Sequence, residues 1–468
     1  MKKNPGSHIN PAIEKLPENA RNLALVVFLE IETNHDNTAT EILSRFLGKS
    51  ELDNIDRALC KELVFGVLRQ RKLLDFVIDE YLKTKSGLKP EILNILRLGA
   101  YQSLFLDKIP SHAIVNEAVK AASQIRGKRQ SGFVNAVLRK ITRLSLEEIK
   151  CPDRRSRATE FLAVRYSHPE WLVNKFIKQY GVEDAEKLLI FNNAPPPTTL
   201  RINPEKTSLE KLIDWIQKNH LEKAELEKGR YSPVALSVKY VPIHVEWAPL
   251  KNGWAYIQDE AAQLVGLYAD PSPGMRIVDY CAAPGGKLTH IAQICGDKCA
   301  VIGLDIDKKR IRKIKENCAR LGLENVRAEM ISQGILEELK KKPADIVLTD
   351  VPCTGAGIIR RQPDLKWKKD LRSLKRLNKV QGEILENSAK IVRPGGLLVY
   401  STCSILREEN EDVIESFLEK RPDFEIDKEC GRLNKEAAEH FLMEKGLRGF
   451  PPVCGIDGFY AVRLRKSA

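Results

Sequence analysis

The sequence predicts a multidomain chain: an all-α N-terminal bundle, a small α+β linker domain and a C-terminal open α/β domain. Three observations predict it. The chain has 468 residues, beyond the roughly 250–300 at which single hydrophobic cores stop growing. Over the first part, apolar residues recur at spacings of three and four between breakers, the period of a helix. After Trp254 the texture changes to apolar strand, loop and helix, repeated as MRIVDYC, VIGLDI, ADIVLTD and GGLLVYSTC, which implies a parallel sheet covered by helices on both faces.

Taken in order, residues 1–19 (MKKNPGSHINPAIEKLPEN) lack the apolar stretch of a secretory signal and are expected to be a flexible leader. Residues 20–145 form the bundle. Ile55, Leu59, Leu63, Val64, Val67 and Leu68 fall on one helical stripe, and Pro90 and Pro110 stand where helices can begin. Residues 146–250 mix helical stretches (PEWLVNKFIKQYG, SLEKLIDWIQKN) with the β-like runs TTLRIN and VALSVKYV, broken by Ala194-Pro195-Pro196-Pro197. Residues 251–468 carry the repeating α/β pattern, and a final run, GFYAVRLRK, is expected to be an antiparallel edge strand.

Composition narrows the class. No apolar run is long enough to span a bilayer, so a cytoplasmic protein without membrane contact is expected. The ten cysteines lack the dense framework of a small secreted domain, which points to reduced thiols, and Cys295 and Cys299 have no neighbouring ligands to complete a zinc set, so no metal site is expected. The formal charge of +13 suits an anionic partner. It is concentrated: Arg126 to Arg143 holds six Lys or Arg and no acid, and Ile358 to Lys379 holds nine against two. Such runs are either solvated faces or nucleic-acid surfaces.

The strand ends carry the chemistry. In an open α/β sheet, residues just past the carboxyl ends of strands line the ligand crevice. Cys353 follows ADIVLTD and Cys403 follows GGLLVY, so both thiols can face one reaction centre. The first strand leads into DYCAAPGGKLTHIAQ, where Gly285 and Gly286 allow close backbone approach at a helix N-terminus. The spacing is neither GxGxxG nor GxxxxGK[ST], which disfavours dinucleotides and nucleoside triphosphates. Asp305 ends the next strand, where a carboxylate can hold ribose hydroxyls.

The segments DYCAAPGGK, TDVPCTGAGIIRRQPDLKW, STCS and GIDGFYAVRLRK resemble, in order and spacing, the RNA cytosine-5 methyltransferases of the bacterial Sun/RsmB (Fmu) type. IDRALCKELVFGVLR and SGFVNAVLRK in the helical part resemble the NusB-type RNA-binding domain that such enzymes carry in front. The resemblance implies a Rossmann-like methyltransferase domain using S-adenosylmethionine. It places Cys281, Ala282, Ala283, Pro284, Gly285, Gly286 and Lys287 around the cofactor, Asp305 on its ribose, and Asp350 between cofactor and base. Family members carry a further aspartate after the third strand. NVRAEMISQGILEEL has none, and Ser332 is the neighbouring candidate.

Cytosine C5 is a poor nucleophile, and a thiolate adding to C6 makes it reactive; a second thiol can assist release of the adduct. The residue pattern leaves the two roles open. The resemblance implies Cys403 as nucleophile, Cys353 as the residue assisting release, and Asp350 as a hydrogen-bonding partner of the base. The basic run after Cys353, with Arg360, Arg361, Lys366 and Lys368 around Trp367, can hold phosphates, while Trp367 either stacks a base or fills a core. The expected function is methyl transfer to cytosine C5 in 16S ribosomal RNA, free or in early small-subunit assembly, by a monomer. A transfer-RNA methyltransferase and a non-catalytic RNA-binding or antitermination-type factor are the rivals.

Overall fold

The computed structural model describes residues 12–34, 36–82, 87–220, 224–241 and 247–468. They form two compact units: the chain up to Ala194 together with Ile359–Asp370, and Pro195–Ile358 together with Leu371–Ala468.

In the first unit the helices begin where the sequence supplies caps. Asn19 accepts hydrogen bonds from Arg21 N and Asn22 N at the start of Ala20–Thr33, and Thr38 with Glu41 forms a capping box before Ala39–Leu47. Asp53 caps the long helix Asn54–Asp79. Pro90 opens Pro90–Phe105, and Ser111–Arg126 and Lys128–Ile141 follow. Their apolar stripes meet in one core that includes Leu25, Phe28, Leu63, Val67, Leu96 and Leu138. Ile55 departs from the expected stripe: it lies in the first turn and is 79% exposed. The leader expectation also needs correction. Ile13 is buried in the helical core, whereas residues 1–11 lie outside the described residues.

The segment Ile359–Asp370 overturns the phosphate-binding expectation for Lys366 and Lys368. Lys366 is 2% exposed, and its Nζ donates to Arg69 O at 2.8 Å, Ser167 O at 2.6 Å and Asn193 Oδ1 at 3.3 Å. Trp367 packs on the helical core and donates from Nε1 to Leu68 O at 2.7 Å. Lys368 Nζ reaches Asn37 O at 2.6 Å, and Arg360 lies over the Phe191 ring at 4.6 Å. A buried ammonium needs a full set of acceptors. Here backbone carbonyls supply most of that set, and burial, then Arg69, pushes the Lys366 pKa well below the ordinary lysine range.

The second unit contains two sheets. Strands β1 (Thr198–Ile202), β2 (Glu225–Lys228), β3 (Ala235–Lys239) and β4 (Ala255–Ile257) form an antiparallel sheet in the order β2-β3-β1-β4. Leu212 and Ile216 of helix Leu209–His220 share a core with Leu200 and Leu236 of this sheet. The unit boundary, at Ala194 and Pro195, falls inside the 146–250 span expected as one linker domain.

The larger sheet holds β5 (Arg276–Asp279), β6 (Ala300–Asp305), β7 (Val326–Met330), β8 (Ala344–Asp350), β9 (Val392–Thr402), β10 (Phe424–Ile426), β11 (Leu442–Met443), β12 (Gly446–Gly449) and β13 (Phe459–Lys466). Its order is β11-β12-β13-β9-β8-β5-β6-β7, with β10 paired to β13. Strands β5 to β9 are mutually parallel, and β13 runs antiparallel to β9. The expectation of β13 as an edge strand is corrected, because β12 and β10 also pair with it. Strands β5, β6 and β8 are largely apolar and buried, as cover on both faces requires, whereas β7 at the end of the order is partly exposed and carries Arg327 and Glu329. Strand order reverses between β5 and β8, which creates a crevice beyond their carboxyl ends.

Trp367→Ala removes the indole from the helical core and the donor to Leu68 O. It should destabilise the protein by about 3 kcal/mol in urea unfolding of the full chain. An unchanged midpoint would remove Trp367 from that core.

Candidate active site

Strand β5 ends at Asp279, and the chain then turns through Tyr280 to Lys287 over the crevice. Gly285, with φ of 102°, adopts the left-handed backbone that glycine accepts most readily, and Gly286 begins the helix Gly286–Ile294. The carbonyls of this turn are held by distant side chains: Arg310 donates to Ala283 O at 3.1 Å, Asn317 to Pro284 O at 2.9 Å, and Arg201 to Gly286 O at 2.5 Å. The free N–H groups of the helix start are thereby fixed in direction, a geometry suited to a polar or anionic ligand group.

Asp279, Asp305 and Asp350 end three of the strands and lie close enough to influence one another. Burial first, and Asp350 second, push the Asp279 carboxyl up to about 8. Its Oδ1 has no hydrogen-bond partner among the described residues. Asp305 is 3% exposed, accepts from Asp307 N at 3.1 Å and faces Arg310 at 3.5 Å. Asp350 is tied on both sides: Lys287 Nζ approaches Oδ2 at 2.7 Å, and Ser401 Oγ donates to Oδ1 at 2.8 Å. Burial opposes charge on Lys287, but Asp350, with Cys403 and Asp279 behind it, raises the pKa of the ammonium.

Register brings the two cysteines together. Asp350 on β8 pairs with Ser401 on β9, so the turns after these residues carry Cys353 and Cys403 side by side, with Sγ to Sγ at 3.2 Å. Both are free thiols and half-buried. The Cys353 pKa is pushed well above the ordinary thiol range, chiefly by its hydrogen bond to Cys403, then by burial, Cys403 charge and Glu409. The crevice thus joins a backbone cradle, carboxylates, an ammonium and two thiols in contact. That arrangement can hold a nucleoside with a charged tail and perform nucleophilic chemistry beside it.

The loop Cys281, Ala282, Ala283, Pro284, Gly285, Gly286 and Lys287 lies at this crevice with Asp305, Asp350, Cys353 and Cys403. Ser332 instead caps helix Gln333–Lys341, accepting from Ile335 N at 3.4 Å. Sequence reasoning missed Asp279, although its position at a strand carboxyl end was a usable signal. It also missed Arg201, whose partner Gly286 stands 85 residues away with no local pattern linking them. The expectation of reduced thiols is corrected at Cys295 and Cys299. They form a disulfide across a turn containing Gly296 and Asp297, both with positive φ, which sets the Cα atoms 6.1 Å apart, within bonding reach.

Residues 267–465 match the family model described as 16S rRNA methyltransferase RsmB/F, residues 18–143 match the NusB family, and residues 168–243 match an RsmF/B-like ferredoxin-like domain. The probable ribosomal RNA small subunit methyltransferase B of Bacillus subtilis is 37% identical over 452 residues, covering 96% of this chain and 98% of that protein. The ribosomal RNA small subunit methyltransferase B of Escherichia fergusonii is 32% identical over 423 residues, covering 90% and 92%. Among solved structures, PH0851 superimposes with a TM-score of 0.79 at 24% identity over 96% of this chain and 100% of that one. A methyltransferase homolog protein from Pyrococcus horikoshii gives a TM-score of 0.55 at 27% identity over 66% of this chain and 99% of that one.

The raised Asp279 carboxyl sets a pH dependence. An acid whose folded pKa, about 8, exceeds its unfolded value near 3.9 contributes stability that is fully present below pH 4 and is lost as pH rises toward 8. Asp279→Asn should therefore lose less stability between about pH 4 and pH 8 than the native chain, read as urea midpoints across that window. Identical slopes would show that Asp279 does not titrate there.

Proposed function

Because the chain belongs to the RsmB/F family of 16S rRNA methyltransferases and is an S-adenosylmethionine-dependent methyltransferase, we propose that it methylates C5 of a cytosine in 16S ribosomal RNA through a covalent adduct at C6. The observation that carries this reading is the 3.2 Å approach of Cys353 and Cys403 beside the Asp350–Lys287 pair.

The residues at the crevice fit the cofactor. Gly285 and Gly286 leave room for close approach, Asp305 can take ribose hydroxyls, and the unpaired Asp279 Oδ1 can accept from the ammonium of the methionine tail, which would favour its ionised form. When bound, S-adenosylmethionine supplies an electrophilic methyl group. The Cys403 thiolate adds to C6, which makes C5 nucleophilic; after methyl transfer a solvent base takes the C5 proton, the C5–H electron pair re-forms the C5–C6 double bond, and the Cys403 sulfur is expelled as thiolate. Cys353 assists that release. Its raised pKa keeps it a neutral thiol, which can hydrogen-bond the departing Cys403 sulfur from 3.2 Å rather than compete as a nucleophile. Asp350, with Lys287 holding its charge in place, is positioned to hydrogen-bond the base. The target cytosine reaches these groups only outside a stack, so a flipped or looped nucleotide is the substrate form.

The helical unit supplies RNA affinity in this reading. With Lys366 buried and Trp367 packed on the helical core, a basic surface it can offer is the groove of about 420 Å³ lined by His112, Asn116, Asn135, Arg139 and Arg143.

Three experiments test these assignments. Cys403→Ala should give neither methylation nor an RNA adduct, whereas Cys353→Ala should transfer the methyl and accumulate a protein–RNA band that survives SDS; the reversed pattern would exchange the roles. Bisulfite sequencing of ribosomal and transfer RNA from cells with and without the gene identifies the substrate, and a mark confined to transfer RNA would overturn the ribosomal assignment. Replacing Arg139 and Arg143 together by glutamine should weaken RNA binding across sequences and lower the salt slope by about 2. An unchanged slope would move the RNA surface elsewhere.

A further inference from the structure

Both cysteine-bearing turns converge on two adjacent residues that the chemistry above does not use, Glu409 and Asn410. Both are fully buried. Glu409 closes the short 3-10 turn Arg407–Glu409, and Asn410 precedes the helix Glu411–Lys420.

Glu409 holds the turn after β8. Its Oε1 accepts from Thr354 N at 2.8 Å and its Oε2 from Thr354 Oγ1 at 2.5 Å. Gln381 Nε2 donates both to Glu409 Oε1 at 3.1 Å and to Pro352 O at 3.0 Å. The residues on either side of Cys353 are therefore fixed to one carboxylate and its amide neighbour. Asn410 holds the turn after β9 in the same way. Its Oδ1 accepts from Thr402 Oγ1 at 2.6 Å, and its Nδ2 donates to Ser404 O at 3.0 Å, so the residues on either side of Cys403 are fixed as well. Tyr400 OH donates to Glu409 O at 2.6 Å, which anchors the dipeptide to β9 itself.

We propose that Glu409 and Asn410 are positioning residues for the reaction: a buried carboxylate and a buried carboxamide, adjacent in the chain, hold the two thiols against each other at reacting distance. The proposal rests on the reading of Cys353 and Cys403 as partners in one covalent cycle. A carboxylate removed from water is costly unless its acceptor sites are filled, so Glu409 and its donors hold one arrangement. Displacement of reacting atoms by about 1 Å can cost on the order of a hundredfold in rate, which is why such rigidity bears on turnover. Glu409 is also among the groups that push the Cys353 thiol up, so its charge works in the direction that reserves the nucleophilic role for Cys403.

The test is Glu409→Gln in the full chain, which keeps the shape and removes the charge. Three quantities are read: kcat and KM with ribosomal RNA, calorimetric affinity for S-adenosylmethionine, and the rate at which iodoacetamide alkylates Cys353 and Cys403, followed by peptide mass spectrometry. The expected result is a fall in kcat of at least about tenfold, cofactor affinity within about twofold of the native value, and faster alkylation of Cys353. Thr354→Val should act in the same direction, and the double variant should be no slower than the slower single one, because both remove one linkage. Asn410→Asp, which still accepts from Thr402 but cannot donate to Ser404 O, provides a second near-isosteric variant and should also lower kcat without weakening the cofactor. The proposal is overturned if folded Glu409→Gln and Asn410→Asp keep kcat and both alkylation rates within about twofold of the native chain. The alkylation arm is independent of methyl transfer. A native chain that forms no 5-methylcytosine sinks the catalytic reading, while unchanged thiol reactivity in the variants sinks the clamp.

Discussion

The crevice depends on Asp350. One carboxylate ties together the ends of three strands: through Lys287 it reaches the turn after β5, its own backbone ends β8, and through Ser401 it reaches β9. Asp279 and Asp305 bring two more carboxyl groups into the same neighbourhood, and negative charge on Asp350 and Asp305 repels ionisation of buried Asp279. Lys287 relieves that repulsion at the point where the ligand-facing turn starts its helix. Two of the three carboxylates respond differently to this charge balance: Asp350 makes an ion pair, while buried Asp279, with an empty acceptor position, is held toward its neutral form.

The small antiparallel sheet takes part in the same construction. Arg201 on β1 is buried and donates to Gln258 Oε1, Gly286 O and Thr289 Oγ1, all neutral acceptors. Burial lowers its pKa to about 9, an effect partly opposed by Tyr256. A guanidinium without a carboxylate partner is a costly feature to bury, and here it fixes the backbone of the glycine turn at Gly286 O. Asn203 Nδ2 and Lys206 Nζ add bonds to Leu321 O at 2.9 Å and Arg320 O at 2.8 Å. The sheet is thus a brace for the α/β domain, a role that a reading of its own short strands did not disclose.

Much of the fold was legible because its signals are local. The helix start at Pro90 and the strands ADIVLTD and GGLLVYST lie where period and turn chemistry place them. The meeting of Cys353 and Cys403 was legible for a topological reason: strand ends at a reversal of strand order share one crevice. Features set by distant contacts were not legible. The buried pairings of Arg201 and Lys366 have no periodicity, and a lysine in a cup of carbonyls has the same sequence signature as a lysine in water. Disulfide formation at Cys295 and Cys299 follows from two positive-φ turn residues, which composition alone does not reveal.

The segment Ile359–Asp370 shows how charge patterning misleads when chain connectivity is ignored. The chain leaves β8, passes Cys353, becomes part of the helical unit at Ile359 and returns to the α/β domain at Leu371. Two of its lysines are spent inside the protein, Lys366 and Lys368 on backbone oxygens, with Asp364 accepting from Ala39 N at 3.1 Å to lock the other side of the segment. Removing the N-terminal residues at the sequence boundary near 145 would therefore take Arg69 O from Lys366, leaving it Ser167 O and Asn193 Oδ1, and would take from Trp367 both Leu68 O and the helical core it packs on. The turn carrying Cys353 is continuous with this anchored segment on one side and with β8 on the other. The helical unit is consequently completed by residues from the middle of the catalytic sequence.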